Sequence, residues 1–354
     1  MDFGLSQDQQ LFQQALRGYL AERVPVARVR EVMESESGCD TALGRDLGAQ
    51  GVTGVLVAPE HGGSGLGLLE ATVAAEELGA AATPFSFHSA CVMAPLALAV
   101  IGDTKAAARL LPGVCSGETL LSYVPDGPDL SGGKLAGSVL FVPDATTADA
   151  FVVLAGKPGS PRLFIVPADA PGLVRGALST VDETRRVGEL VFDGVEVGEG
   201  HAIDGETAAR VLDAGRIVLA ADALGSAQRA LDLAVQYALE RKQFGRLIGS
   251  FQAVKHMCAE TAAEVEPVRS LLWYAAFAWD ERRDDAATVA SVLKAHATEV
   301  ATTAVTTCVQ VFGGMGFTHE CDVQLWFKRA GYDRQMLGSP AALRAHAASL
   351  GLVL

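Results

Sequence analysis

The chain has 354 residues, enough for two or three folding units. Lys plus Arg number 28 and Asp plus Glu 42, a net charge of −14 at pH 7. That balance argues against a polyanion as main partner, because nucleic-acid binding relies on basic surface to neutralise phosphates. Apolar residues at 49 % against charged residues at 20 % argue against general disorder. Aromatics are only 6 %, so Ala, Val and Leu supply most of the core, a composition suited to closely packed helices. Six cysteines (Cys39, Cys91, Cys115, Cys258, Cys308, Cys321) are scattered without a CxxC pair, and a chain of this length needs no disulfide staples, so a reducing compartment is expected. The start, MDFGLSQDQQLFQQAL, lacks the basic n-region and apolar core of a signal peptide. Ala–Val–Leu runs such as 92–101 are too short to span a bilayer. The expectation is a soluble, cytoplasmic protein that binds neither nucleic acid nor membrane.

In chain order, residues 1–118 read as helical. Leu5, Leu11, Phe12, Leu16, Tyr19 and Leu20 form one stripe, with Ser6 as N-cap. The turn-rich Pro59-Glu60-His61-Gly62-Gly63-Ser64-Gly65-Leu66-Gly67 is not a GxGxxG loop and reads as a connector between helices. From about 119 the period changes. Thr119–Val124, Gly137–Val142, Ala150–Leu154, Leu163–Val166 and Glu189–Val197 are short Val/Leu/Phe runs broken by Pro, Gly and Asp, the pattern of a small antiparallel barrel or sandwich. After Gly205 the helical period returns. Ile217, Ala220, Leu224, Ala227, Leu231, Ala234 and Ala238 mark one face of a long helix. A second helix is expected from Ser250 to about Glu281 with a kink at Pro267, and a third over Ala286–Phe312, stopped by Gly313-Gly314. A shorter helix to about Met336 precedes a last one capped by Ser339 with Pro340 at its first position. The fold class is α+β: an N-terminal α-helical domain over 1–118, a β-domain over 119–200, and a C-terminal four-helix bundle over 201–354.

Several segments are distinctive. Arg241-Lys242-Gln243-Phe244-Gly245 continues through Ile248 and Phe251 to Gln252. Gln310-Val311-Phe312-Gly313-Gly314-Met315-Gly316-Phe317 follows later, and earlier come the FGLSQDQQLF start, the glycine loop with Glu76-Glu77-Leu78-Gly79, and Phe192-Asp193-Gly194-Val195-Glu196-Val197. A guanidinium at a helix end can fork onto a pyrophosphate. An aromatic face suits adenine, amides supply donors and acceptors, and bare glycine backbone admits a close ligand. In this order and at these separations the segments resemble the acyl-CoA dehydrogenase family over nearly the whole chain.

The resemblance implies that Arg241, Gln243, Phe244 and Gln252 in one segment and Gln310, Gly313, Gly314 and Gly316 in the other hold the ADP portion of FAD across a subunit interface, one segment from each of two chains, so that the chain is at least a dimer. It implies an acyl-CoA substrate, dehydrogenated between its α- and β-carbons by a carboxylate base and flavin N5. It also implies an electron-transfer flavoprotein as acceptor. One family position for the base falls here on Leu337 or Gly338, within Gln335-Met336-Leu337-Gly338-Ser339-Pro340, and no Asp or Glu follows Asp333. The other falls on Gly215; Asp213 lies about 200° around the helix from it. The segments that face the flavin ring match Leu121-Ser122-Tyr123-Val124-Pro125-Asp126-Gly127-Pro128 and Phe141-Val142-Pro143, where proline offers neither an N–H nor a hydroxyl.

The expectation is therefore a chain that helps bind FAD, lacks its own base, and works with a catalytic acyl-CoA dehydrogenase partner. It resembles the shorter subunit of α2β2 bacterial heteromers that often take bulky acyl-CoAs such as steroid side chains. Val181-Asp182-Glu183-Thr184-Arg185-Arg186-Val187 is similar to a stretch common in that group. Two rivals stay open: an autonomous dehydrogenase using a displaced carboxylate, Asp333 or Asp213, and a non-redox binding or scaffold protein. The seven histidines show no metal spacing, Cys258 and Cys308 read as packed thiols, and Ser122 has no GxSxG elbow.

Overall fold

The computed structural model describes residues 4–101, 104–157 and 159–351. Six helices come first: α1 (Gln7–Arg23), α2 (Val26–Glu34), α3 (Thr41–Ala49), α4 (Leu68–Ala80), α5 (Ala94–Ile101) and α6 (Thr104–Ser116). Eight strands follow: β1 (Leu121–Val124), β2 (Asp129–Ser131), β3 (Lys134–Pro143), β4 (Ala150–Lys157), β5 (Ser160–Pro167), β6 (Leu173–Ala177), β7 (Val187–Glu196) and β8 (His201–Ala202). Then come α7 (Gly205–Glu240), a tight hairpin of β9 (Lys242–Gln243) and β10 (Arg246–Leu247), α8 (Gln252–Asp280), α9 (Ala286–Phe312), α10 (Val323–Gln335) and α11 (Pro340–Ser349). The α+β class and the helix–sheet–helix order are as expected. The chain resolves into two compact units, one of residues up to Arg30, 72–83 and from Arg216 onward, the other of 31–71 and 84–215.

In the second unit two four-stranded sheets, β1-β4-β5-β8 and β2-β3-β7-β6, enclose a core of Val124, Leu135, Phe151, Phe164, Leu190 and Phe192. All neighbours are antiparallel except β1, which runs parallel to β4 with Leu121 opposite Ala150. Strand β3 is longer than the sequence pattern suggests, and its ladder with β7 slips between Val139 and Val142.

In the first unit Ser6 caps α1 by a full capping box: Gln9 N–H donates to Ser6 Oγ at 3.2 Å, and the Ser6 N–H donates to Gln9 Oε1 at 2.8 Å. Helix α8 runs unbroken through Pro267. Among the described residues one stretch, Ala286–Phe317, is long and apolar enough to cross a membrane; here it is the bundle's core helix, burying Ala290, Leu293, Ala297, Ala301 and Ala304.

The Glu76-Glu77-Leu78-Gly79 segment has a complete physical explanation. Glu76 takes an ion pair from Arg269, and Glu77 a two-pronged one from Arg17 at 2.9 and 2.7 Å. Leu78 is core. Gly79 on α4 faces the Asp222 carbonyl of α7, while Gly225 on α7 faces the Glu76 carbonyl of α4, so a Cβ on either would strike backbone. The end of α4 is received by buried side chains of α10. Trp326 Nε1 donates to the Gly79 and Ala80 carbonyls at 3.2 and 3.1 Å, and Arg329 Nη2 donates to Thr83 O at 2.7 Å.

Gly225→Ala should therefore cost about 1–3 kcal/mol through overpacking that backbone cannot relieve. Gly331→Ala on α10, whose Cβ would meet nothing, should be neutral or raise stability by up to about 1 kcal/mol. Parallel denaturant melts of the two variants check the contrast.

Candidate functional site

Arg241 follows the last turn of α7, its N–H bonded to Tyr237 O at 2.9 Å. The chain then turns back at once. Gln243 pairs with Arg246, and the two residues between, Phe244 and Gly245, both have positive φ, +53° and +78°. A two-residue hairpin of this kind demands positive φ at both centres, which Asn-Gly supplies readily and an aromatic residue does not. Phe244 is nonetheless 90 % exposed, touching Phe251 edge-on with centroids 6.1 Å apart. The guanidinium of Arg246 lies over the Phe251 ring, 4.0 Å from its centroid, and steadies the base of the hairpin.

The second segment ends α9. Gly313 has φ +63° and ψ −142°, a conformation that only glycine adopts readily. Gly314 needs no such freedom, and a Cβ there would meet nothing within 4 Å. Gly316 is packed, its Cβ position 2.8 Å from Val309 O. Tyr237 stacks on Phe312 with centroids 4.2 Å apart, which brings the two segments to one end of the bundle.

Arg241, Gln243, Gln252, Gln310, Gly313 and Gly314 are all exposed. Among the described residues the four side chains in that group make no hydrogen bond or ion pair. A free guanidinium, three free amides, an exposed aromatic face and open glycine backbone form a donor set that fits a nucleotide pyrophosphate and its base.

The ring-facing segments differ. Ser122 is fully buried and donates to the Pro143 carbonyl at 2.6 Å, while Ser89 Oγ accepts the Tyr123 N–H at 2.9 Å. Gly127 N–H is bonded to Leu154 O at 2.7 Å. These contacts turn Ser122 and the backbone of Tyr123 and Gly127 inward, while Tyr123 Oη is buried without a hydrogen-bond partner and Asp126 is exposed. Phe141 stands at the ladder slip with φ +58° and is half exposed. Asp144, just beyond, is buried; desolvation pushes its carboxyl up to about 6, opposed by Arg185.

At the two positions expected for a base the structure places no carboxylate. Gly215 is a buried residue of α7. Leu337 sits in the turn between α10 and α11 with φ +55°, followed by Gly338 at +114°. Cations hold this turn. Arg216 Nε donates to Leu337 O at 3.2 Å, and Lys294 Nζ donates to Gly338 O at 2.6 Å and Arg334 O at 3.3 Å. Lys294 is wholly buried, and desolvation pulls its amine down to about 7; Arg216 and Arg334 act in the same direction and Asp333 against it. Asp333 and Asp213, the alternative carboxylates, are themselves buried. Lys294 and Arg216 were not distinguishable in the sequence: Lys294 is one charge in the apolar run Ala290–Ala297, and its contacts lie some forty residues downstream.

A Lys pKa lower in the folded than in the unfolded chain means that the unfolded chain binds the extra proton between about 7 and 10.5. Stability therefore rises with pH across that window, by up to about 1.4 kcal/mol per unit for one proton. Wild type should gain about 2 kcal/mol on Lys294→Met between pH 7.5 and 9.5 in paired urea melts. A constant difference would show an amine still charged in place.

Comparisons with known proteins show the family and the fold. Residues 6–118 match the acyl-CoA dehydrogenase N-terminal domain and residues 205–349 the acyl-CoA dehydrogenase C-terminal domain. Acyl-CoA dehydrogenase IpdE2 of Mycolicibacterium smegmatis is 30 % identical over 95 % of this chain and 96 % of its own length. Among solved structures, a variant of the Tcur3481-Tcur3483 steroid ACAD superposes with TM-score 0.89 at 31 % identity, covering 97 % of both chains. The ChsE4-ChsE5 complex from Mycobacterium tuberculosis has a chain with TM-score 0.91 at 26 % identity, covering 100 % of both. The chain belongs to the acyl-CoA dehydrogenase family.

Proposed function

We propose that this chain is the non-catalytic subunit of a heteromeric acyl-CoA dehydrogenase, holding the ADP end of FAD while a catalytic partner supplies the base and the ring pocket. The carrying observation is the contrast between the two ends. At the bundle end, Arg241, Gln243, Gln252 and Gln310 are exposed without partners, beside Phe244 and open glycine backbone. At the ring-facing segments Ser122 is turned inward onto Pro143 O, and Leu337 stands where a carboxylate is expected.

In this reading Arg241 forks onto the pyrophosphate, Phe244 covers the adenine, and the amides of Gln243, Gln252 and Gln310 fix the remaining polar atoms. Backbone at Gly313, Gly314 and Gly316 lets the nucleotide approach closely. FAD, when bound, accepts the hydride from the β-carbon of the acyl-CoA. The α-proton goes to a carboxylate of the partner, since this chain offers none at either position. An electron-transfer flavoprotein is the acceptor, and a bulky acyl-CoA of the steroid side-chain type is the substrate. Support for the assembly and the substrate comes from the ChsE4-ChsE5 complex and the steroid ACAD among the similar structures. The burial of Asp333 and Asp213 weighs against an autonomous enzyme with a displaced base.

Purified alone, the chain should be colourless or weakly flavinated and inactive. Co-expressed with any acyl-CoA dehydrogenase whose gene lies adjacent on the chromosome, it should form a yellow, active complex with about one FAD per pair. Arg241→Ala should weaken FAD retention by roughly 10–100-fold, the worth of a charge-assisted bidentate contact, read as the flavin-to-protein absorbance ratio after gel filtration. A yellow, active homodimer of the lone chain overturns the reading.

A further inference from the structure

A cleft of about 810 Å³ opens in the first unit between α1, α4, α7, α8 and α10. Its position separates it from the site above: Arg229 on its wall is 13 residues from Arg216 along the continuous helix α7, roughly 20 Å away. The volume lies within the range of small-molecule sites. Leu20, Val24, Ala81 and Trp273 give it an apolar lining.

The charges in the cleft are matched with one exception. Glu77 is held by Arg17 and Glu76 by Arg269. Asp232 accepts from Gln228 Nε2 at 2.9 Å, and Gln228 Oε1 in turn accepts from Arg269 at 3.1 Å. Arg229 alone, half-buried, has no hydrogen bond or carboxylate among the described residues. Its guanidinium lies over the Trp326 ring, 5.6 Å from the centroid. That ring is buried and tied by Nε1 to the Gly79 and Ala80 carbonyls. Stacking on an aromatic face compensates part of a cation's lost hydration and leaves the in-plane N–H donors unmet. A carboxylate meets two of them at once.

We propose that this cleft binds a small aliphatic or alicyclic carboxylate, its anionic end paired with Arg229 and its hydrocarbon laid along the Leu20 and Trp273 wall. Charge and shape together select the class. A dianion or a phosphate would meet Glu76, Glu77 and Asp232, and an uncharged hydrocarbon would leave Arg229 unmatched.

Two of the chain's three tryptophans, Trp273 and Trp326, line the cleft, so occupancy is read directly in intrinsic fluorescence. Titration of the full chain with dodecanoate below its micellar range should give a saturable change that Trp273→Phe diminishes. Dodecanol, with the same hydrocarbon and no charge, should bind at least 10-fold more weakly. Arg229→Gln should weaken dodecanoate by 10-fold or more while leaving dodecanol unchanged, and Arg229→Lys should fall between. Far-ultraviolet circular dichroism and thermal melts confirm that each variant is folded. The proposal is overturned by the absence of a saturable response, by equal affinity for acid and alcohol, or by equal dodecanoate affinity in wild type and Arg229→Gln. The readout needs neither flavin nor partner, so its result is independent of the proposed function.

Discussion

Two glycines set against two carbonyls hold the long helix α7 in place, and much of the molecule's chemistry is laid out along that helix. Gly79 and Gly225 let α4 and α7 touch backbone to backbone. At 36 residues α7 is roughly 54 Å of continuous rod. Arg216 and Arg229 sit 13 residues apart on it, a rise of roughly 20 Å set by helix geometry, and Arg241 follows its last residue, Glu240. Each guanidinium has a different fate. Arg216 is engaged by the Leu337 carbonyl, Arg229 rests on a tryptophan, and Arg241 is open to solvent at the bundle end.

The turn at Leu337 is held by cations that donate to its backbone carbonyls. A left-handed leucine costs roughly 1–2 kcal/mol, and a buried lysine is costly unless its donors are matched. Both features coexist because they serve one another. The bent turn presents Gly338 O and Arg334 O to Lys294 Nζ and Leu337 O to Arg216, and those bonds hold the turn bent.

Where a pattern is local, the sequence revealed it. Helix α9 was legible to the residue from its apolar period and its glycine stop, and α11 from the Ser339-Pro340 start. The Ser6 cap needed only its own side chain and Gln9. What stayed hidden depends on partners remote in the chain. Strands β2 and β6 are short and largely exposed, so they carry no alternating signal. The parallel pairing of β1 with β4 crosses some thirty residues. Pro267 lies inside α8, which is one helix from Gln252 to Asp280 as its apolar period suggests. At the site, the exposed motif residues could be read because their chemistry lies in side chains that fold onto nothing. Lys294 could not be read, because a lone charge in an apolar run ordinarily marks the solvent side of a helix, and here it marks the inside.

Polar groups in a buried strand favour an internal partner that compensates their desolvation. Ser122 bonded to Pro143 O is such a group. Exposed groups face no such pressure: water satisfies Arg241 and the three glutamines whether or not a ligand comes, and their loss would cost the lone chain nothing. Phe244 breaks that neutrality. An aromatic side chain held at φ +53° and 90 % in water is unfavourable in the lone chain on both counts, and glycine or asparagine at that position would relieve both. A nucleotide base or partner surface laid on Phe244, as the proposed function requires, would compensate the exposure.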